Sequence, residues 1–162
     1  MKEMSKIKVG LIHYGLDRQA SGIGRYTLEL SNALSQAGAS VHCLWAGAKP
    51  QNMLGEALRG SYRLPGLLTI GQAEIARAAR RLKLDVVHDP IGAMPLLLTN
   101  APRAVTVHDA IPYIYPQTST RLDWFIYHIW LPLALPLANA IITVSTQSRK
   151  DIMAHLPVKS DQ

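Results

Sequence analysis

Short apolar runs alternate along the chain with longer segments in which apolar residues recur every three or four positions. The runs predict parallel strands at IKVGLIHY (7–14), SVHCLWAG (40–47), DVVH (85–88), RAVTVH (103–108) and AIITVS (140–145). The helical spacing predicts helices from about Ile23 to Ala37, over 71–84, over 121–138 and over 146–156. Strands alternating with helices predict an α/β fold, a Rossmann-like doubly wound parallel sheet with helices on both faces.

Individual residues mark where some of these elements begin and end. Gly38 stands where the first helix needs a C-terminal cap, and Ser145 is placed to cap the last helix at its N-terminus. Residues 48–69 are irregular, so we expect only a short helix around Met53–Leu58 and an extended piece at Tyr62–Leu64.

The nearly uncharged run 124–145 has the length of a membrane span. It contains Pro132, Pro136, His128 and Asn139, which favour a buried helix followed by a buried strand. Its aromatic block, WFIYHIW (124–130), fits a core segment better than an anchor at a membrane interface.

Composition narrows the class of protein only a little further. With 48% hydrophobic and 17% charged residues, the chain suits a globular domain rather than a disordered one. The net charge of +6 is compatible with phosphate-bearing ligands, nucleic acid or an anionic membrane surface. Cys43 is the single cysteine, which excludes an internal disulfide and a cysteine-based zinc site and favours a reducing compartment.

Polar and titratable residues collect where the predicted strands end. They are His13, Tyr14, His88, Asp89, His108, Asp109 and Ser145. Ligands of open parallel sheets bind at the carboxyl ends of the strands, so this edge is the candidate site. The alternative for both His-Asp pairs is ordinary turn chemistry, which Pro90 favours for the first pair. The long loop behind His108-Asp109 favours a functional role for the second.

The loop DRQASGIGRYT (17–27) is a second candidate, because Gly22 and Gly24 lie at the start of the first predicted helix. Backbone N–H groups at a helix N-terminus attract phosphate, and glycine permits close approach. Thr27 stands where a dinucleotide fingerprint needs a third glycine, and there is no Gly-Lys-Ser/Thr of a P-loop. A flexible helix entry is the alternative interpretation.

The end of the helix predicted over 71–84 is basic, with cations at Arg77, Arg80, Arg81 and Lys83. Cations at this end also complement the helix dipole, so a solvated face is the simpler interpretation. A surface for phosphate or lipid headgroups is the alternative.

Four stretches, in this order and spacing, resemble the N-terminal domain of group 1 (family 4) glycosyltransferases of the GT-B fold. They are SGIGRYTLEL (21–30), DVVHDP (85–90), VTVHDAIPYIYP (105–116) and AIITVSTQSRKDI (140–152). The resemblance implies a retaining enzyme that moves a sugar from a nucleotide-sugar donor to a saccharide or lipid-linked acceptor, in polysaccharide or glycan assembly. It implies no metal and no other cofactor, no nucleic-acid partner, and a cytoplasmic location that leaves peripheral contact with the inner face of the membrane open.

The resemblance also suggests residue roles. Gly22, Ile23 and Gly24 would approach the donor diphosphate through backbone amides. His108 would contact the donor sugar near the reacting carbon, and Asp109 would orient the loop or hydrogen-bond the acceptor. The residues that would line the acceptor side are Tyr14, Arg18, Ser21 and Arg25.

By the same resemblance, residues 1–156 form the N-terminal, acceptor-side domain and 157–162 begin an interdomain linker. The C-terminal donor-binding domain of the family is absent from the sequence, so this chain alone is expected to be inactive or nearly so. Two other functions stay open on the residues alone: a non-catalytic nucleotide- or phosphate-binding module, and a membrane-surface or interaction domain.

Overall fold

A computed structural model describes residues 6–14, 22–46, 53–58, 70–92, 97 and 99–159. Within these residues, six parallel strands form one sheet in the order β3-β2-β1-β4-β5-β6. The strands are β1 (Lys8–Tyr14), β2 (Ser40–Ala46), β3 (Gly55–Ala57), β4 (Val86–Asp89), β5 (Arg103–Val107) and β6 (Ala140–Thr143). The parallel Rossmann-like sheet predicted from the sequence is therefore confirmed.

The helices connect these strands. They are α1 (Gly22–Gln36), α2 (Gln72–Leu82), α3 (Ile111–Ile114), α4 (Arg121–Phe125), α5 (Leu131–Ala134) and α6 (Thr146–His155). A π-helical turn (Ile126–Trp130) joins α4 to α5, and 3₁₀ turns occupy Pro116–Thr118 and Leu135–Leu137. The predicted helical block over 121–138 is thus a chain of helical turns of three kinds.

Side-chain alternation along the strands places helices on both faces of the sheet. Leu11 of β1 and Cys43 of β2 are buried on one face, where Leu30 of α1 packs against the same cluster. Their neighbours Ile12 and Leu44 are buried on the opposite face together with Ile75, Ala78 and Ala79 of α2. Consecutive strand residues point to opposite faces, so both faces of this part of the sheet need an apolar cover.

The prediction of a short helix around Met53–Leu58 is wrong, because this segment contains the edge strand β3. Gly55 pairs with Cys43 of β2, and the Leu58 N–H donates to the Trp45 carbonyl at 2.7 Å. Gly55 has φ +155°, and a Cβ there would lie 1.9 Å from the Cys43 carbonyl oxygen. Sheet pairing and this close backbone approach therefore override the local helical pattern. The extended piece at Tyr62–Leu64 lies outside the described residues.

The run 124–145 is only half buried. Ile126, Leu131 and Leu135 belong to the core under β5, whereas Trp124 and Leu133 are 51% and 62% exposed. The prediction of a helix followed by a strand is confirmed, but the prediction that both are buried is wrong. The helix has one apolar face in contact with the sheet, and β6 lies at the outer edge of the sheet and pairs with β5. None of the helices in the described part of the chain is both long and apolar enough to cross a membrane.

The helix α6 begins as predicted, with Ser145 as its N-cap. The Ser145 hydroxyl oxygen accepts a hydrogen bond from the Ser148 backbone N–H at 3.0 Å. Ile152 of α6 is buried in the cluster that also contains Val105 and Val107 of β5. The cap therefore stabilises a helix that covers the second half of the sheet.

We expect Ser145→Ala to lower the free energy of unfolding by about 1 kcal/mol, because it leaves a helix N–H without its side-chain acceptor. Ser145→Asp keeps an acceptor at the same position and is the matched control. Urea denaturation followed by circular dichroism measures both variants. Equal stability of Ser145→Ala and the unsubstituted protein would contradict the capping role.

Candidate functional site at the carboxyl edge of the sheet

The order of the strands fixes where a ligand can bind. Successive strands are added toward one side of the sheet from β1 to β3 and toward the other side from β4 to β6. A crevice opens between β1 and β4, where this order switches, outside the carboxyl ends of the strands. β1 ends at Tyr14, β4 ends at Asp89, and His108 directly follows β5. Both His-Asp pairs therefore lie at the edge predicted for the site.

A buried polar contact joins β4 to β5 beneath α1. His88 Nε2 lies 2.9 Å from the Thr106 hydroxyl oxygen, and Tyr26 of α1 places its hydroxyl 3.2 Å from the same atom. Thr106 is fully buried and His88 is 5% exposed. Each of these polar groups thus has a hydrogen-bonding partner where water is excluded.

His108 is held by two contacts from different parts of the chain. Its Nε2 lies 2.8 Å from the Pro90 carbonyl oxygen. A carbonyl oxygen only accepts, so Nε2 must carry the proton and donate, which leaves Nδ1 for a second hydrogen bond. The Tyr26 ring meets the imidazole edge to face, with centroids 5.0 Å apart and planes at 84°. The half-buried His108 therefore bonds to the residue that follows the first His-Asp pair.

The two aspartates make the same local turn. Asp89 Oδ1 accepts a hydrogen bond from the Ile91 N–H at 3.0 Å, and Asp109 Oδ1 accepts one from the Ile111 N–H at 3.0 Å. Both are Asx turns, in which the side chain replaces a backbone acceptor. The turn interpretation of His88-Asp89-Pro90 is confirmed for Asp89, and the same geometry applies to Asp109. The two pairs differ in their histidines, since His88 is buried and His108 is partly accessible.

Burial sets the ionisation of the groups around this edge. Desolvation lowers the pKa of His88 to about 4, and it lowers the pKa of His13 at the end of β1 to about 4. Both imidazoles are therefore neutral at pH 7. Burial also raises the pKa of the Tyr127 hydroxyl, with the Asp109 carboxylate as the next largest cause. Asp109 is thus close enough to Tyr127 to oppose its ionisation.

The predicted phosphate-binding residues occupy the first turn of α1. Gly22 and Ile23 are exposed, and a Cβ at Gly22 would meet nothing within 4 Å. Arg25 is also exposed. A ligand can therefore reach the backbone at the start of this helix, where the helix dipole is positive.

The acceptor-side residues predicted from the resemblance are only partly described. Tyr14 is the last residue of β1, and its side chain is outside the described part of the structure. Arg18 and Ser21 also lie outside the described residues. Of this set, the Arg25 side chain alone can be placed, one residue before Tyr26.

Tyr26 and Thr106 belong to the site although sequence reasoning assigned neither to it. Two patterns could have identified them. Thr106 is two residues before His108, so strand alternation puts both on one face. Tyr26 is one helical turn after Gly22, on the face of α1 that covers the sheet.

The described residues contain no group of three or more His, Cys, Asp or Glu side chains that could hold a metal ion. The polar atoms at the edge are instead the imidazole nitrogens, hydroxyl groups and carboxylates described above. Such groups can donate and accept hydrogen bonds with a hydroxyl-rich ligand.

The strand order and the polar carboxyl edge define a Rossmann-type ligand-binding domain. The sequence of residues 20–162 matches the family model of Glycosyltransferase Family 4. The chain therefore belongs to this family, and it is a glycosyltransferase domain. The search of curated proteins found no match.

Two solved structures share the fold. A glycosyltransferase from Rickettsia africae ESF-5 superposes with a TM-score of 0.61 at 15% identity, over 98% of this chain and 42% of that one. An alpha-glucosyltransferase in complex with UDP and a 13-mer DNA containing a HMU base has a TM-score of 0.52 at 11% identity, over 86% of this chain and 38% of that one. The chain thus spans about two-fifths of either structure's length.

Gly92 lets the loop after β4 lie against β5, and we expect Gly92→Ala to destabilise the protein. Its φ is +72°, and a Cβ there would lie 2.6 Å from the Thr106 carbonyl oxygen. Gly38 is the matched control, because it has φ +91° but open space around the same position. The left-handed backbone costs about 1–2 kcal/mol in either alanine variant. Urea titration should therefore show a larger loss for Gly92→Ala than for Gly38→Ala, and equal losses would refute the close approach.

Stability should fall as the pH decreases from about 6.5 to about 4. His88 has a pKa of about 4 in the folded protein, so the unfolded chain takes up the proton first. This difference corresponds to about 3 kcal/mol at most, fully developed below the folded value. His88→Gln should reduce the slope in this interval by about half, because His13 has the same lowered pKa and supplies the remainder. The measurement is the free energy of unfolding at several pH values, and an unchanged slope in His88→Gln would contradict the assignment.

Proposed function

We propose that this chain is the acceptor-side half of a retaining glycosyltransferase. The enzyme transfers a sugar from a nucleotide-sugar donor to a saccharide or lipid-linked acceptor in polysaccharide or glycan assembly. The observation that carries the proposal is the fixed, partly accessible imidazole of His108 at the carboxyl edge of the sheet, in a chain that belongs to Glycosyltransferase Family 4.

His108 is the proposed sugar-contacting residue. Because Nε2 donates to Pro90, Nδ1 is the ring nitrogen left to form a hydrogen bond with a sugar hydroxyl. A hydrogen bond of this kind fixes the sugar relative to the acceptor, and positioning supplies a large part of the rate in group transfer. Asp109 uses Oδ1 for the Asx turn, and its second oxygen is the proposed acceptor for a hydroxyl of the acceptor sugar.

The proposed site for the donor diphosphate is the N-terminal turn of α1. Gly22 and Ile23 supply exposed backbone amides there, with Gly24 buried behind them, and the absence of a side chain at Gly22 leaves room for a phosphate. The acceptor would lie beside this turn, near Arg25 and the end of β1 at Tyr14. Arg18 and Ser21 belong to the same proposed surface.

A second domain is part of this proposal. The chain spans 42% of the Rickettsia glycosyltransferase, and a GT-B enzyme places its donor between two Rossmann-like halves. Stabilisation of an oxocarbenium-like transition state needs groups from both walls of such a cleft. We therefore expect the isolated chain to show little or no sugar transfer and to need a C-terminal donor-binding domain.

The proposed setting is the cytoplasmic side of a membrane, without a metal or other cofactor. The exposed cations Arg77 and Lys83 on and after α2 support peripheral contact with anionic lipid. Arg81, a third cation of this helix, forms an ion pair with Glu56 and so links α2 to β3.

His108→Ala, in a two-domain protein that contains this chain, should reduce kcat for sugar transfer by about 100-fold or more, because it removes the hydrogen bond that positions the sugar. His42→Ala is the matched control, since His42 is a half-buried histidine of β2 whose ring lies 3.3 Å from the Ser40 hydroxyl. Nucleotide release from several nucleotide sugars provides the assay. An unchanged rate in His108→Ala would show that the assigned role is wrong.

A further inference from the structure

The geometry points to Tyr26 as the residue that positions His108: we propose that it fixes the plane of the imidazole and thereby the direction of Nδ1. Tyr26 would act through His108, without touching the sugar itself. The kinetic part of this inference rests on the proposed function, whereas its structural part can be tested without any enzymatic activity.

A single hydrogen bond does not fix an imidazole ring. The bond from His108 Nε2 to Pro90 is a single attachment, and rotation of the ring about its Cβ–Cγ bond would turn Nε2 away from the carbonyl oxygen and break that bond. The edge-to-face contact with Tyr26, at a centroid distance of 5.0 Å and an interplanar angle of 84°, opposes this rotation. Such contacts favour one ring orientation about 2- to 10-fold.

Tyr26 is itself held in place by a contact with the buried end of β5. Its hydroxyl lies 3.2 Å from the Thr106 hydroxyl oxygen, which in turn lies 2.9 Å from His88 Nε2. Thr106 is fully buried, so a displaced tyrosine would remove a hydrogen-bonding partner from a group that water cannot reach. These contacts therefore fix the position of the Tyr26 ring that packs against His108.

The arrangement spans three elements of the sheet edge. Tyr26 belongs to α1, Thr106 to β5 and His88 to β4, and each contact joins residues at least 18 positions apart. A purely structural role for Tyr26, as a ring that fills space under α1, would make the same contacts. It would nevertheless predict a loss of stability without any change at the nitrogen atoms of His108.

Nitrogen-15 NMR of the histidine rings in this chain separates the two roles, with the His108 signals assigned by comparison with His108→Ala. The unsubstituted protein should show the Nε2-protonated form of His108, and Tyr26→Phe should retain it, because the ring contact persists. In Tyr26→Leu, the ring should turn away from the Pro90 carbonyl in part of the molecules, so the His108 nitrogen signals should shift toward the average of both tautomers. Leu28→Ala, an exposed position on the same helix, should change nothing.

Kinetics of the two-domain enzyme give the second readout. Tyr26→Leu should lower kcat by about 2- to 10-fold, with less than a twofold change in KM for the donor, whereas Tyr26→Phe should retain most of the rate. Wild-type nitrogen signals in folded Tyr26→Leu would overturn the inference, and so would an unchanged kcat in an active enzyme. If the signals shift as expected but the unsubstituted two-domain protein transfers no sugar, the proposed function fails and the positioning role stands.

Discussion

The hydrogen bond between His88 and Thr106 is the interaction on which the candidate site depends. It places two polar side chains in the interior, at a point where an all-apolar pair would be the simpler solution for a parallel sheet. Because both groups are buried, each needs its partner, and this requirement fixes the end of β4 against β5. Tyr26 extends the same contact upward to α1. The Tyr26 ring in turn contacts the partly accessible imidazole of His108.

This arrangement also gives the repeated His-Asp pattern a physical meaning. The pair that ends β4 serves the interior, because His88 bonds to Thr106 of β5 and the Asp89 side chain forms an Asx turn. The pair after β5 keeps the same turn at Asp109 but directs its histidine to the Pro90 carbonyl. The first pair thus supplies the scaffold on which the second pair presents its imidazole. In the sequence, the first pair differs from the second by the proline that follows it directly, Pro90. In the structure, the carbonyl of Pro90 accepts the hydrogen bond of His108 and so joins the two pairs.

The regular part of the fold could be predicted from the sequence, because it depends on periodicity. The apolar runs of β1 and β2, the stripe of α1 and the cap at Ser145 are local features, and each occurs within a few residues of its predicted place. β3 could not be predicted, since its three residues contain no apolar run and exist as a strand only through pairing with β2. The position of the candidate site followed from the rule for parallel strands. Its internal contacts did not, because Tyr26 and Thr106 are 80 positions apart and meet only in the folded chain.

The lengths of the outer strands have a further consequence. β3 has three residues and β6 has four, so in the described part of the chain each flank of the sheet offers a short row of backbone groups to a strand from another molecule. Short outer strands are one means by which natural sheets avoid edge-to-edge aggregation. In this protein the longest strands, β1 and β2, are both enclosed by neighbours. The two strands with the longest rows of backbone groups are therefore already paired on both sides and present no open edge to a strand of another molecule.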